Sequence, residues 1–141
     1  GDGDISSKLK KLVVDLNLTD RVIFLGKLSP SQLNIENQKV WIGINLLDHT
    51  SLNYYYSLAN KTFDYIQAEI PAIHMSFPEY EDVMNQYHVG ICIPDLNIPT
   101  IVNAVRFFES KENYASTIYA IRKAKSELIW ANEETKLLSL I

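Results

Sequence analysis

The chain has 141 residues and a formal net charge of −4, with 47% hydrophobic and 21% charged residues. This is the composition of an ordinary globular domain, and its acidic balance argues against a general binder of nucleic acid. A single cysteine, Cys92, excludes an internal disulfide and fits a reducing compartment. No stretch approaches the roughly 18 to 20 apolar residues that span a bilayer, and the polar start Gly1-Asp2-Gly3-Asp4 is no secretory signal, so a cytoplasmic location is expected.

Three elements are predicted in the first part of the chain. Apolar residues at helical spacing predict an amphipathic helix over residues 5–16. The continuous run Val22-Ile23-Phe24-Leu25, which ends at Gly26, is typical of a strand buried on both faces. Ser29-Pro30 then supplies an N-cap and a first helical residue for a short helix that ends near residue 38.

The rest of the chain alternates strands with helices. Strands are predicted at residues 42–47, 71–75 and 90–93. Helices are predicted at residues 58–69, 80–87, 98–108, 114–128 and 133–140. Because the strands are too apolar to face water, they predict an α/β fold: a doubly wound parallel sheet covered by helices on both sides, formed by residues 1–141 as one domain.

The predicted sheet also fixes an expected core and an expected binding edge. Phe24, Ile44, Ile73 and Ile91 are expected on its central strands, as buried side chains. Open α/β sheets bind ligands beyond the carboxyl ends of their strands. The long tyrosine-rich loop over residues 48–57 follows such a strand end, so it directs attention to the helix that comes next.

The segment from Ser57 to Ile73 carries the clearest chemistry. Asn60, Lys61 and Asp64 share one face of the predicted helix. The free backbone N–H groups and positive dipole at the start of this helix suit a diphosphate. One turn further on, an ionised carboxylate can accept hydrogen bonds from both hydroxyls of a ribose. The spacing alone leaves open a surface helix with a weak Lys61–Asp64 ion pair.

This segment, S-L-A-N-K-T-F-D-Y-I-Q-A-E-I-P-A-I, resembles "S-L-P-N-K-x-F-E-Y-M-A-A-G-x-P-V-I" of retaining GT-B glycosyltransferases of the group 1 (family 4) type. The first four residues resemble that family's G-x-G-P, and residues 18–26 resemble its L-x-D-x-V-x-F-L-G. Pro78-Glu79, Gly90 and the Trp130–Leu138 stretch resemble its P-E, its strand-starting Gly and its closing W-E…L-L. The whole chain is thus similar to the C-terminal, donor-binding half of such an enzyme.

The resemblance implies roles for individual residues. Leu58-Ala59-Asn60 would face the donor diphosphate, Lys61 would contact phosphate or sugar, and Asp64 would hold the ribose. The nucleobase would pack near the loop Gly26-Lys27-Leu28. The implied function is transfer of a sugar from a nucleoside-diphosphate sugar to a glycan or lipid-linked acceptor in surface polysaccharide synthesis. The resemblance assigns no catalytic residue, metal or cofactor.

Departures from the family pattern leave alternatives open. Tyr56 stands where the family has its first Glu, Ala59 replaces Pro, and Glu69 replaces Gly, while Asp64 is one methylene shorter than the family's second Glu. One alternative is a non-catalytic Rossmann-like interaction module, and another is a nucleotide-sugar epimerase of the same fold. His49, in the loop after a predicted strand, is a further candidate for contact with the donor sugar.

The resemblance also implies a fragment of a longer enzyme. The G-x-G normally follows the second strand of a doubly wound sheet of order 3-2-1-4-5-6. Residues 22–25 would then form the third strand and residues 42–47 the fourth, on opposite sides of a missing pair. An N-terminal domain would bind the acceptor and supply the family's phosphate-binding basic pair, so the isolated chain is expected to be inactive. The expected partners are the donor, the acceptor and that domain, with no nucleic acid and with the inner membrane face as an alternative site of peripheral attachment.

Overall fold

A computed structural model describes residues 3–129, Asn132, Glu134, Leu138 and Ser139. The chain forms two compact units, Gly1–Ile35 and Glu36–Ile141. Within the described part of the chain, no helix is both long and apolar enough to cross a membrane.

Some predictions from the sequence fall outside the described residues. They include most of the closing helix over 133–140 and several residues of the family resemblance: Gly1, Asp2, Trp130, Glu133 and Leu137.

The first unit contains helix α1, Ser6–Asp15, and the start of helix α2, Pro30–Asn37, as predicted. The predicted strand over residues 22–25 is wrong. These residues form no strand, and Phe24 is 40% exposed instead of lying in a core. A turn over residues 18–22 leads into this segment, and in it the Val22 N–H donates to the Leu18 carbonyl at 2.9 Å. A strand needs a hydrogen-bonded neighbour, and the described residues pair no strand with this segment.

The second unit is built around a parallel sheet in the order β1-β2-β3. The strands are Gly43–Asn45, Ala72–Met75 and Gly90–Ile93. The helices are α3, Leu52–Tyr55; α4, Asn60–Gln67; α5, Pro78–Tyr87; α6, Ile98–Glu109; and α7, Lys111–Glu127. The predicted α/β class with a parallel sheet is confirmed. Strand β1 is shorter than the predicted 42–47, and the predicted loop 48–57 contains α3.

The strand register separates two faces of the sheet. Asn45 lies beside His74, and His74 lies beside Cys92, so one polar row crosses all three strands on a single face. Helix α5 covers this face, since the Tyr80 ring stacks on His74 at 5.0 Å between centroids. On the opposite face, Ile73, Met75 and Ile93 pack with Ala104 and Phe108 of α6.

The burial of the expected core residues depends on which strand carries them. Ile73 on central β2 is fully buried, as predicted, whereas Ile91 is half-buried. The prediction for Ile44 is wrong, because β1 is an edge strand and leaves this side chain 45% exposed. On α4, Ile66 faces inward as expected, but Thr62 is buried in addition and Phe63 is only half-buried.

The outer edge of β1 is partly covered by Tyr65 of α4. The Gly43 N–H donates to the Pro71 carbonyl (2.8 Å), so the Ile44 carbonyl, one residue on, faces away from β2. The Tyr65 hydroxyl donates to that carbonyl at 3.3 Å. A Cβ at Gly43 would lie 2.6 Å from the Tyr65 ring, so glycine at this position allows the ring to reach the edge.

The turn from α4 to β2 depends on Glu69, which has φ of +59° in the left-handed region. That conformation favours glycine and disfavours other residues by about 1–2 kcal/mol. Here the carboxylate forms salt bridges with two α7 side chains, Arg122 at 2.8 Å and Lys125 at 3.1 Å. Hydrogen bonds from Arg122 and then Lys125 lower the pKa of Glu69. The ion pairs therefore offset the backbone strain at a position where the resembling family has Gly.

Replacing Ile73 by Ala should lower the free energy of unfolding by about 2–5 kcal/mol, because the truncation leaves a cavity in the core. Ile44→Ala removes the same atoms from an exposed site and should lower it by less than about 1 kcal/mol. Urea denaturation followed by circular dichroism measures both losses. Equal losses would contradict the different burial of the two side chains.

Replacing Glu69 by Gly or by Ala separates the contribution of backbone strain to stability from that of the two ion pairs. Glu69→Ala keeps the left-handed strain and loses two largely exposed ion pairs, for a loss of about 0.5–2 kcal/mol. Glu69→Gly loses the same pairs but relieves the strain, so it should be about 1 kcal/mol more stable than the Ala variant. The difference in urea midpoint is the measurement, and an Ala variant as stable as the Gly variant would contradict the strain at position 69.

Candidate functional site

A cavity of about 430 Å³ lies among the connections that follow the three strands. Its lining residues come from the end of β2 and from the connections after all three strands: Asp48, His49, Tyr55, Met75, Ser76, Phe77, Pro94, Asp95 and Leu96. Since the strands are parallel, their carboxyl ends meet at this edge, where α/β proteins bind their ligands. The cavity therefore lies at the edge of the sheet where proteins of this fold class bind ligands.

Two carboxylates and an imidazole supply polar groups to this cavity. The His49 Nδ1 lies 3.7 Å from the Asp48 Oδ1. The Asp95 Oδ1 accepts a hydrogen bond from the Asn97 N–H at 2.9 Å. Hydrogen bonds from the Thr100 side chain and then from Asn97 lower the pKa of Asp95, so it is ionised at neutral pH. Such carboxylates can accept hydrogen bonds from the hydroxyl groups of a sugar.

The sequence pointed to His49 but not to the two carboxylates. Asp48 comes directly after the predicted strand 42–47, and Asp95 comes two residues after β3. A carboxylate within two residues of a buried strand's end is a signal that could have identified both. Neither belongs to a motif with fixed spacing, so the chain alone did not show that they share a cavity.

Helix α4 begins at Asn60 with an uncapped N-terminus. Ala59 is the N-cap residue, in extended conformation, and no side chain caps the helix. The N–H groups of Asn60 and Lys61 lack a hydrogen-bond partner within the described chain, as expected for the first two residues of a helix. They and the positive end of the helix dipole form a surface suited to an anion.

Tyr80 fixes the position of this helix start. Its buried hydroxyl accepts hydrogen bonds from the Ala59 N–H at 3.0 Å and from the Asn45 Nδ2 at 3.1 Å. The three groups come from the residue before α4, from α5 and from β1. This buried junction holds the first turn of α4 at a defined height above the end of β1.

His74 lies beneath Tyr80 as a neutral imidazole. It is fully buried, and neither ring nitrogen has a hydrogen-bond partner in the described part of the chain. Burial lowers its pKa to about 4. Burial also raises the pKa of Cys92, its neighbour in the register, to about 12. A neutral thiol beside a neutral imidazole is not an activated nucleophile. The row of Asn45, His74 and Cys92 therefore offers no nucleophile for covalent catalysis.

The predicted diphosphate and ribose residues lie together on α4 and just before it. Leu58 and Ala59 are half-buried, whereas Asn60, Lys61 and Asp64 are exposed. Asp64 and Lys61 form no salt bridge with each other or with any other described residue. The weak ion pair that the spacing left open is thus not formed, and the carboxylate is free to accept hydrogen bonds from a ligand.

The predicted nucleobase loop lies in the first unit. Gly26 has φ of +68°, and it and Leu28 are half-buried, whereas Lys27 is exposed. This loop was expected to follow a strand over residues 22–25, and that strand is not formed. Five of the predicted site residues therefore lie on α4 or just before it. The three residues of the predicted nucleobase loop lie in the other unit.

A second, larger cavity of about 880 Å³ is bordered by α4, α5 and the residues that follow α7. Most of its lining is apolar: Leu58, Phe63, Val83, Tyr87, Leu128 and Ile129, together with Asn60, Gln67 and Gln86. Among the predicted site residues, Leu58 and Asn60 border it. The smaller cavity contains the charged groups and is the better candidate for recognition of a polar ligand.

A fall in pH should destabilise the fold through His74. Its pKa is about 4 when folded against an ordinary 6.5, so between these values the unfolded chain binds more protons. The stability contributed by the neutral imidazole is present above about pH 6.5 and is lost as the pH falls toward 4, by about 3 kcal/mol. His74→Phe keeps an aromatic ring on Tyr80 and should lose much less stability than the parent chain between about pH 7 and about pH 4.5.

Urea denaturation at the two pH values tests this expectation, with His49→Gln as the control because that imidazole is exposed. If the Phe variant loses as much stability on acidification as the parent chain, His74 does not carry the effect.

No group of His, Cys, Asp and Glu that could hold a metal ion occurs among the described residues. Comparisons of the chain with models of protein families, with curated proteins and with solved structures find no match.

Proposed function

We propose that this chain is the donor-binding half of a glycosyltransferase, which holds a nucleoside-diphosphate sugar at the carboxyl edge of its sheet. The observation that carries the proposal is the uncapped start of α4, where the N–H groups of Asn60 and Lys61 are free. The unpaired carboxylate of Asp64 lies one turn further along the same helix. An anion site followed by a hydrogen-bond acceptor is the combination that a nucleotide diphosphate requires.

The sheet order supports the same proposal. In a doubly wound sheet of order 3-2-1-4-5-6, strands four to six are consecutive, parallel and adjacent. Strands β1, β2 and β3 have this arrangement. By the family resemblance they would be the fourth, fifth and sixth strands, and α4 would lie in the connection that follows the fourth strand.

Three parts of the donor, the diphosphate, the ribose and the sugar, have candidate binding groups in the second unit. The diphosphate would lie against the first turn of α4, with the Lys61 ammonium as a counter-charge, and the ribose would be held by Asp64. The sugar would occupy the cavity bordered by Asp48 and Asp95. During transfer, an acceptor hydroxyl oxygen bonds to the sugar carbon as the bond from that carbon to the diphosphate oxygen breaks. The electron pair of the broken bond stays with the diphosphate, which takes up the hydroxyl proton. Fixed N–H dipoles at the helix start would stabilise that added charge.

A second candidate is an interaction module that has lost catalysis. One observation favours it: Tyr56 stands at the position of the family's first acidic residue and is 62% exposed at the end of α3. A phenol at this position is no carboxylate and cannot hold the sugar in the same way. The two candidates differ in whether the chain binds nucleoside diphosphates.

Thermal unfolding with a panel of nucleoside diphosphates separates them. If the proposal holds, one base should raise the melting temperature in a concentration-dependent manner, because a ligand that binds only the folded state stabilises it by mass action. Asp64→Ala should then weaken that nucleotide by about 10- to 150-fold by calorimetry, because a charged hydrogen bond contributes about 1.5–3 kcal/mol. Asp82→Ala, which removes an exposed carboxylate from α5, is the matched control.

Unchanged affinity in a folded Asp64→Ala variant would remove Asp64 from the site. No response to any nucleoside diphosphate would overturn the donor-binding proposal and favour the interaction module.

A further inference from the structure

Helix α1 presents an apolar stripe to its surroundings. Ile5, Leu9, Leu12 and Leu16 follow one another at helical spacing, and each is at least 41% exposed. The helix contains no buried residue at all. An amphipathic helix in a globular protein normally buries such a stripe, so α1 has an apolar face that the described residues leave uncovered.

A second exposed apolar segment lies beside this helix in the same unit. Val22-Ile23-Phe24-Leu25 has all four side chains exposed, and Ile23 reaches 79%. The Lys10 Nζ lies 6.0 Å from the centroid of the Phe24 ring, so α1 and the segment are neighbours. The stripe Ile5, Leu9, Leu12 and Leu16 and the segment 22–25 are here called the apolar patch.

Basic residues lie next to the apolar residues of the patch along the chain. Lys8, Lys10 and Lys11 lie on α1, while Arg21 and Lys27 flank the exposed segment. None of these five forms a salt bridge with a described residue. Their charge is free for a partner.

The charge of the chain is also divided between its two units. Residues 1–35 carry five Lys and Arg against four Asp, whereas residues 36–141 carry eight Lys and Arg against thirteen Asp and Glu. The excess of positive charge is thus confined to the unit with the apolar patch, although Asp15 and Asp20 lie in it as well.

We infer that the apolar patch binds an anionic lipid surface. Exposed apolar side chains with basic residues around them are the combination that anchors a helix in the headgroup region of a membrane. Lys and Arg can extend their charges to lipid phosphates while their aliphatic stems stay among the apolar side chains. The free positive charge favours this partner over a neutral apolar one. The residues of the apolar patch belong to the first unit, and the inference does not depend on the proposed diphosphate and ribose residues of α4.

Co-sedimentation of the purified chain with lipid vesicles tests the inference. The chain should bind vesicles of phosphatidylcholine with phosphatidylglycerol and should bind pure phosphatidylcholine far more weakly. Added salt should release it, because the electrostatic part is screened. Lys10→Ala should weaken partitioning by about fivefold, the factor that corresponds to about 1 kcal/mol for each basic residue near the surface.

Two apolar substitutions complete the test. Ile23→Asp and Leu12→Asp place a charge in the apolar patch and should abolish vesicle binding. Both side chains are exposed, so circular dichroism should show an unchanged fold. Ile98→Asp is the matched control, because Ile98 is equally apolar and 77% exposed but lies in the other unit, at the start of α6. Lys111→Ala is the corresponding control for charge.

Several results would overturn the inference. One is absence of binding to the mixed vesicles, and another is equal, salt-independent binding to both kinds of vesicle. A third is loss of binding in the Ile98→Asp control as large as in Ile23→Asp. A concentration-dependent dimer in ultracentrifugation that Ile23→Asp dissociates, without vesicle binding, would assign the apolar patch to a second copy of the chain instead.

Discussion

The buried hydroxyl of Tyr80 holds together the part of the molecule on which the candidate site depends. By accepting hydrogen bonds from Ala59 and Asn45, it joins the start of α4, the first turn of α5 and the end of the edge strand β1. The Asn45 amide is buried, and an unpaired buried donor costs about 1–3 kcal/mol. The junction thus forms as a unit or is lost as a unit, and the N–H groups that follow Ala59 keep their direction only while it is intact.

The regular parts of the fold could be predicted from local patterns. Strands β2 and β3 are short apolar runs between turns, and their predicted bounds agree with the structure to within one residue. The same pattern wrongly predicted a strand at residues 22–25. A β-branched run indicates a preference for burial, but it does not show that another strand lies alongside to pair with it. Strand β1 was predicted too long for a similar reason, since its length is set by the short pairing with β2.

The sequence predicted only the part of the candidate site that lies on a single element, helix α4. The face of Asn60, Lys61 and Asp64 is a matter of helical spacing, and the structure leaves all three exposed as that spacing requires. The cavity beyond the strands joins three connections that are distant in the chain, and no local pattern relates Asp48 to Asp95. The buried Asn45–His74–Cys92 row is likewise a product of strand register, which separate runs of sequence do not specify.

The contact between Tyr65 and the edge of β1 has a consequence for self-association. An uncovered strand edge is a template on which another chain can add a strand, and proteins commonly protect such edges. Here the protection is one phenol hydroxyl on the Ile44 carbonyl, which reaches it because Gly43 leaves room for the ring. A methyl group at position 43 would displace the ring and free a carbonyl beside an exposed isoleucine. Glycine at position 43 therefore determines whether this edge remains protected from intermolecular β-sheet growth.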